Sequence, residues 1–214
     1  RSIRRQRQMC IRDRSWTLTP AQLSGLTITP GEHDADDFTL DVAATSTDGA
    51  DTATTTGTIA VTVTEVADAP TLVVSNASGD EDTAIALSIN PALVDTDGSE
   101  TMSITISGVP NGATLSAGID NGDGSWTLTP AQLVGLTLTP GEHVGDDFTL
   151  TVTATTTDGA DTASTAGTID VTVNEVADAP TLSTSDASGN EDTAIALTIA
   201  PALVDVDGSE TLSI

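Results

Sequence analysis

The 214-residue chain sets 32 Asp and Glu against six Lys and Arg, with a formal net charge of −26 and two His. Phosphate binding needs cations to displace counterions, so nucleic acid is excluded as a partner, and an anionic membrane surface is excluded by the same sign of charge. No apolar run is long enough to cross a bilayer, and a single Cys cannot build a disulfide scaffold.

Residues 1–14, RSIRRQRQMCIRDR, hold all six Arg and the only Cys, Cys10. The segment lacks the apolar run of a signal peptide, although a basic targeting arm is the alternative reading. Arg4–Asp13 resembles the translation of a transposon-type sequencing adapter, and 1–14 is therefore expected to be a non-native tail. From Ser15 onward the chain has no Lys, Arg or Cys.

A long internal repeat begins at Ser15. Residues 15–104 and 125–214 agree at 71 of 90 positions without a gap. The period, about 110 residues, is the size of a whole domain rather than of one solenoid unit. The expected organisation is the C-terminal part of one repeat at 15–66, a complete repeat at 67–176 and the N-terminal part of a third at 177–214.

In chain order, ETMSITI (100–106) alternates with Met102, Ile104 and Ile106 on one face. NGDG (121–124) predicts a hairpin turn, and DNGDG at 120–124 does not match an EF-hand loop. Trp126, flanked by Ser and Thr, is read as a core anchor, with a sugar-stacking platform as the alternative. PAQLVG (130–135) is the one plausible helical turn, and TPGEH (139–143) is a turn cluster. FTLTVTATTT (148–157) places Phe148, Leu150, Val152 and Ala154 inward, with Thr on the other face. After the turn TDGAD (157–161), TIDVTV (168–173) turns Ile169, Val171 and Val173 inward. TAIALTI (193–199) does the same with Ile195, Leu197 and Ile199. Period-two alternation with β-branched residues predicts half-buried strands, some seven per repeat, packed as an antiparallel β-sandwich.

GDDFTLTVTATTTDGADTASTAGTIDVTVNEVADAP (145–180) resembles the last two strands and linker of a cadherin-type repeat. SGNEDTAI (188–195) resembles the start of such a repeat, with Glu191 at its acidic position, and DVDGSE (205–210) matches its D-x-D motif. The wording ADAPTL, NEDTAI and D-x-DGSE, in register, is closer to the cadherin-like repeats of giant bacterial adhesins of the RTX type, exported by type I secretion. EVADAP lacks the usual N-D-N core, and TTTDGAD is longer than the usual A-x-D-x-G. The resemblance implies all-β, tandem antiparallel β-sandwich (Ig-like/cadherin-like) domains, each of about 110 residues as such sandwiches commonly are, truncated at both ends. It also implies a secreted, cell-surface location and Ca²⁺ at the junctions.

Hard cations take several oxygen ligands from carboxylates and loop carbonyls, which the turns and linkers here supply. At the first junction Asp36, Asp37, Glu65 and Asp68 are expected to meet Asp95, Asp97 and Asp158. At the second, Glu81, Asp146, Asp147, Glu175 and Asp178 are expected to meet Asp205 and Asp207, with Glu191 a further candidate. Two unit charges about 5 Å apart repel by roughly 3 kcal/mol at an effective dielectric near 20, which a divalent cation would convert into cross-linking. The alternative is a solvated acidic surface.

His33 and His143 are one repeat position, in a GEH turn, and are expected to face solvent. No nucleophile motif accompanies them, so no enzymatic activity is expected. The functional expectation is a set of Ca²⁺-stiffened extender repeats in a bacterial surface adhesin, holding a distal adhesive domain away from the cell. Its partners would be neighbouring repeats of the same chain, with glycans or cell-surface proteins bound by domains outside the fragment. The alternatives are repeats that themselves grip glycan or homotypic partners, and a non-catalytic spacer of a secreted polysaccharide-degrading enzyme.

Overall fold

The structure is a computed structural model that describes residues 15–205, 208 and 210–214. The tail at 1–14 and Asp207 lie outside the described residues. The chain forms two compact units divided between Glu65 and Val66.

Among its described residues, the first unit has a 3₁₀ turn, Pro20–Gln22, followed by β1 (Phe38–Asp48) and β2 (Asp51–Val61), which pair antiparallel along their whole length. Thr19 and Gln22 form a reciprocal capping box that starts the turn. Most of the apolar side chains of this unit stand in solvent, among them Leu26, Val42 and Ile59.

The second unit opens with β3 (Thr71–Ser75), β4 (Ala77–Asp80), β5 (Ile85–Ala86), β6 (Ser88–Ala92) and β7 (Thr101–Ser107). It continues through β8 (Thr114–Leu115), β9 (Ile119–Asp120), β10 (Ser125–Leu128), β11 (Thr137–Thr139), β12 (Phe148–Asp158) and β13 (Asp161–Asn174). The strands β14 (Thr181–Ser185) and β15 (Thr198–Ala202) close it as an antiparallel pair. A six-stranded sheet runs β4-β13-β12-β7-β10-β9, beside a three-stranded sheet β5-β11-β8 and the pair β3-β6. The protein is all-β, and this unit is sandwich-like.

Alternation builds the core. Leu150 and Val152 of β12, Ile169, Val171 and Val173 of β13, and Ile104 and Ile106 of β7 are buried, as is Ala154 at the end of the inward face of β12. The larger seven meet Ile85, Leu115 and Leu138 from the smaller sheet in one apolar cluster. Each such side chain contributes about 1.5–3 kcal/mol when withdrawn from water. Trp126 and Phe148 pack half-buried against the same cluster, as an anchor at Trp126 predicts. PAQL forms a 3₁₀ turn, Pro130–Leu133, again behind a Thr–Gln capping box. β12 and β13 join through the two-residue loop Gly159–Ala160, where Gly159 at φ 55° supplies the left-handed residue that tight hairpins favour. DNGDG likewise turns β9 into β10.

Three features depart from the sequence expectation. The stretch 67–176 contains eleven strands rather than about seven, because left-handed glycines break the run between Ile106 and Leu128 into pieces two to four residues long. The sheet is not purely antiparallel: β4 pairs β13 in parallel, Ala77–Asp80 against Val171–Asn174. A parallel pair needs a long crossover connection, and the intervening strands supply it. Finally, Ile195, Leu197 and Ile199 are exposed, and only Thr198–Ala202 of that region is strand. Their repeat counterparts Ile85, Leu87 and Ile89 are buried, so alternation alone does not decide whether a face is covered.

Candidate functional site

Two acidic clusters form at opposite ends of the β12–β13 hairpin, each around a linker backbone. At the turn end, the amide of Ala67 donates to Asp161 Oδ2 at 3.1 Å, and that of Asp68 donates to Glu100 Oε1 at 2.6 Å. Thr156 Oγ1, fully buried, donates to the Asp68 carbonyl, and Thr165 Oγ1 donates to the Pro70 carbonyl at 2.6 Å. Asp95 is buried and accepts from the Asp97 amide at 2.9 Å, while Asp97 accepts from the Ser99 amide at 2.8 Å. Asp158, at the end of β12, is buried as well. The D-x-D motif thus folds as successive carboxylate-capped turns, each Asp accepting from the amide two residues on.

At the open end, Glu81 is only 3% exposed, and its Oε1 accepts the Val176 amide at 2.6 Å. The Asp178 amide donates to Glu210 Oε1. Asp147 accepts the Val173 amide at 2.9 Å, Asp80 Oδ1 accepts from Asn174 Nδ2 at 3.1 Å, and Glu175 lies over Gly145. Asp205 is 1% exposed. His143 Nδ1 stands 2.8 Å from Asp178 Oδ2 and 3.5 Å from Asp82 Oδ2, while the His143 amide donates to Asp82 Oδ1 at 2.9 Å. Asp82, His143 and Asp178 therefore hold three ligand-type atoms within 4.8 Å of one another. Two acceptors cannot rest at hydrogen-bond distance without a proton or cation between them. Partial burial pulls the imidazole pKa down, but Asp82, Asp178, Asp205 and Glu142 together outweigh it and hold the pKa above its ordinary value.

The two clusters share a chemical feature. Glu81, Glu100 and Glu210 each spend one oxygen on a bond to a linker amide and keep the other buried with no hydrogen-bond partner. An unpaired buried carboxylate oxygen is costly in a protein interior. The donor set is almost wholly carboxylate oxygen, which suits a hard cation such as Ca²⁺ better than a soft one.

The structure gathers Asp68, Asp95, Asp97 and Asp158 at one end, and Glu81, Asp147, Glu175, Asp178 and Asp205 at the other. Asp146 and Glu191 are exposed. Asp36, Asp37 and Glu65 belong to the first unit, where Asp37 Oδ1 accepts the Val63 amide at 2.8 Å and Asp36 donates its amide to Asp34. Asp207 lies outside the described residues. His143 is half-buried among carboxylates, which corrects the expectation of a solvent-facing turn residue. Its repeat counterpart His33 has the same left-handed backbone, φ 56° against 55°, and is exposed, so the turn conformation alone does not place the ring. Sequence reasoning missed Glu100 and Glu210, although both end the DGSE motif, and missed Asp82, the neighbour of Glu81. No protein-family model matches the chain, and no curated protein matches it.

Proposed function

We propose that this chain is a run of Ca²⁺-stiffened extender repeats of cadherin-like, tandem β-sandwich type, from a secreted bacterial surface adhesin. The observation that carries the reading is the linker clamp: Glu81, Glu100 and Glu210 tie linker amides and leave one buried oxygen each unpartnered. Residues 15–214 contain no Lys or Arg that could answer those charges. Bound Ca²⁺ would supply the missing positive charge and cross-link the carboxylates on either side of a linker. Glu81, Asp178, Asp205 and Glu210 would hold it at the second junction, and Asp68, Asp95, Asp97, Glu100 and Asp158 would contribute at the first. The chain's own part is to pre-order the linker, so that the cation meets a formed rather than a floppy site. A run of near-identical repeats, with nothing distinguishing one from the next, suits spacing better than specific recognition.

Extracellular modules bind Ca²⁺ with dissociation constants of roughly 10⁻⁴–10⁻³ M. At about ten times that constant, one site stabilises by roughly 1.4 kcal/mol. The test is small-angle scattering and thermal melting of the chain in millimolar Ca²⁺ and in chelator, at fixed ionic strength. The expected result is a higher melting temperature and a longer maximum dimension with Ca²⁺, both reduced in Glu81→Gln/Asp205→Asn, which leaves the carboxylates of the first junction in place. Identical curves in the two buffers would reduce the carboxylates to a solvated acidic surface and sink the reading.

A further inference from the structure

Among the carboxylates that gather at the open end of the β12–β13 hairpin stands one imidazole, that of His143. Its Nδ1 is buried and makes no hydrogen bond, although Asp178 Oδ2 lies 2.8 Å away and Asp82 Oδ2 3.5 Å away. The nearer oxygen therefore sits off the direction of the ring N–H bond, at contact distance but out of line. A charge-assisted hydrogen bond would close along that line, whereas two ligands of one ion point at the ion and not at each other. Ligands about 2.0–2.2 Å from a tetrahedral ion stand roughly 3.3 Å apart, and the observed 2.8 and 3.5 Å straddle that separation. Both carboxylate residues are held by a second bond: Asp82 Oδ1 accepts the His143 amide at 2.9 Å, and the Asp178 amide donates to Glu210 Oε1. Glu81, 3% exposed, ties the Asp82 turn to the same linker through the Val176 amide, and its Oε2 is buried with no hydrogen bond to answer its charge.

We propose that Asp82, His143 and Asp178 form a site for a borderline first-row divalent cation, of which Zn²⁺ is the type, separate from the Ca²⁺ sites proposed above. Ca²⁺ takes oxygen ligands and gains little from an imidazole nitrogen, whereas Zn²⁺ takes imidazole and carboxylate together. The three ligands come from three places: the turn after β4, the GEH turn ahead of β12 and the linker past β13. Their ligand atoms all lie within 4.8 Å of one another. The ion would fasten Asp178 of the linker to two turns of the 67–176 segment. Its fourth position falls to water, which reaches the site because the His143 side chain is 23% exposed. Asp178 is the one residue shared with the Ca²⁺ sites, and a carboxylate has an oxygen for each ion.

Calorimetric titration of Zn²⁺ into the full chain tests this, with Cys10→Ser and His33→Ala as the background, so that His143 is the one imidazole and no thiol competes. The expected isotherm has a site with a Kd of about 1–10 μM, present both in millimolar Ca²⁺ and in its absence. His143→Ala or Asp82→Asn should weaken it at least about tenfold, the loss that even supporting residues of a metal site produce. Asp82→Asn keeps the oxygen that accepts the His143 amide, so the turn is retained. Nitrogen NMR of the imidazole gives a readout that needs no substitution at the site: Zn²⁺ should shift the His143 Nδ1 resonance far more than Nε2, and Mg²⁺ should shift neither. A ring unmoved by saturating Zn²⁺ would overturn the proposal and leave a His–carboxylate ion pair, and so would an isotherm indifferent to both substitutions. Zn²⁺ binding that persists where Ca²⁺ changes nothing would sustain this site and sink the Ca²⁺ reading alone.

Discussion

Replacing Ile169 by Ala, and Ile59 by Ala in parallel, compares one substitution at two sites of nearly identical sequence, GTIDVTV and GTIAVTV. Ile169 is 0% exposed on β13, enclosed by both sheets, whereas Ile59 is 52% exposed on β2. Truncating Ile in a closed core loses the transfer energy of the removed carbons and leaves a cavity, about 2–5 kcal/mol in all. With little room to collapse, Ile169→Ala is expected to cost about 3 kcal/mol. For a domain of this size, at about 4 °C per kcal/mol, the melting temperature should fall by roughly 10–15 °C. Ile59 already meets water over half its surface and encloses no cavity, so Ile59→Ala should cost about 1 kcal/mol or less. Urea denaturation followed by Trp fluorescence, with calorimetry alongside, measures both at submicromolar concentration. Equal costs at the two positions would refute the burial contrast, and with it the view that only the second unit has a covered β-sheet.

Thr156→Val keeps the shape of a fully buried side chain but removes the hydroxyl that bonds the Asp68 carbonyl; a loss of about 1–3 kcal/mol is expected by chemical denaturation, and no change would mean that the linker is not anchored there. Gly108 sits at φ 83°, and a Cβ there would come within 2.7 Å of the Thr149 carbonyl oxygen, so Gly108→Ala should lower the melting temperature of the second unit by more than an exposed Gly→Ala such as at Gly122; equal effects would contradict the packing of β7 against β12. His143 has a folded pKa above its unfolded value, so its stabilisation is complete below the unfolded pKa, about 6.5, and fades as pH rises through the raised folded pKa. Proton NMR in chelator should give a midpoint for His143 above that of the urea-unfolded chain; a lower midpoint would remove the acidic surroundings drawn around the ring.

Much of the fold is legible in the sequence because strand alternation is a local signal. Leu150, Val152 and Ala154 point inward where the pattern puts them, and DNGDG and TDGAD turn where their glycines fall. Coverage is not local. Ile195 and Ile85 sit in the same words, NEDTAI and DEDTAI, yet one is bare and the other buried, because burial depends on a partner strand elsewhere in the chain. The parallel seating of β4 is hidden for the same reason, since direction within a sheet leaves no mark on a four-residue strand. The acidic site is half legible. Composition and the D-x-D spacing point to Asp95 and Asp205, but the clamping role of Glu100 and Glu210 depends on which linker amide each meets. His143 escapes because a left-handed turn residue can carry its side chain either way.

The parallel seating of β4 against β13 has a mechanical consequence. These two strands lie near the two ends of the 67–176 segment and run in the same direction. A pull applied at Ala77 and Val176 therefore drags them past one another along their length. The bonds from Ala77–Asp80 to Val171–Asn174, the Glu81 amide to the Asn174 carbonyl at 3.0 Å, and Glu81 Oε1 to the Val176 amide all stretch together. None can open first and shed the load onto the next, as happens when a hairpin is peeled from its free end. Tension is met by the whole patch at once, and the hydrophobic sheets behind it stay shielded until that patch gives way.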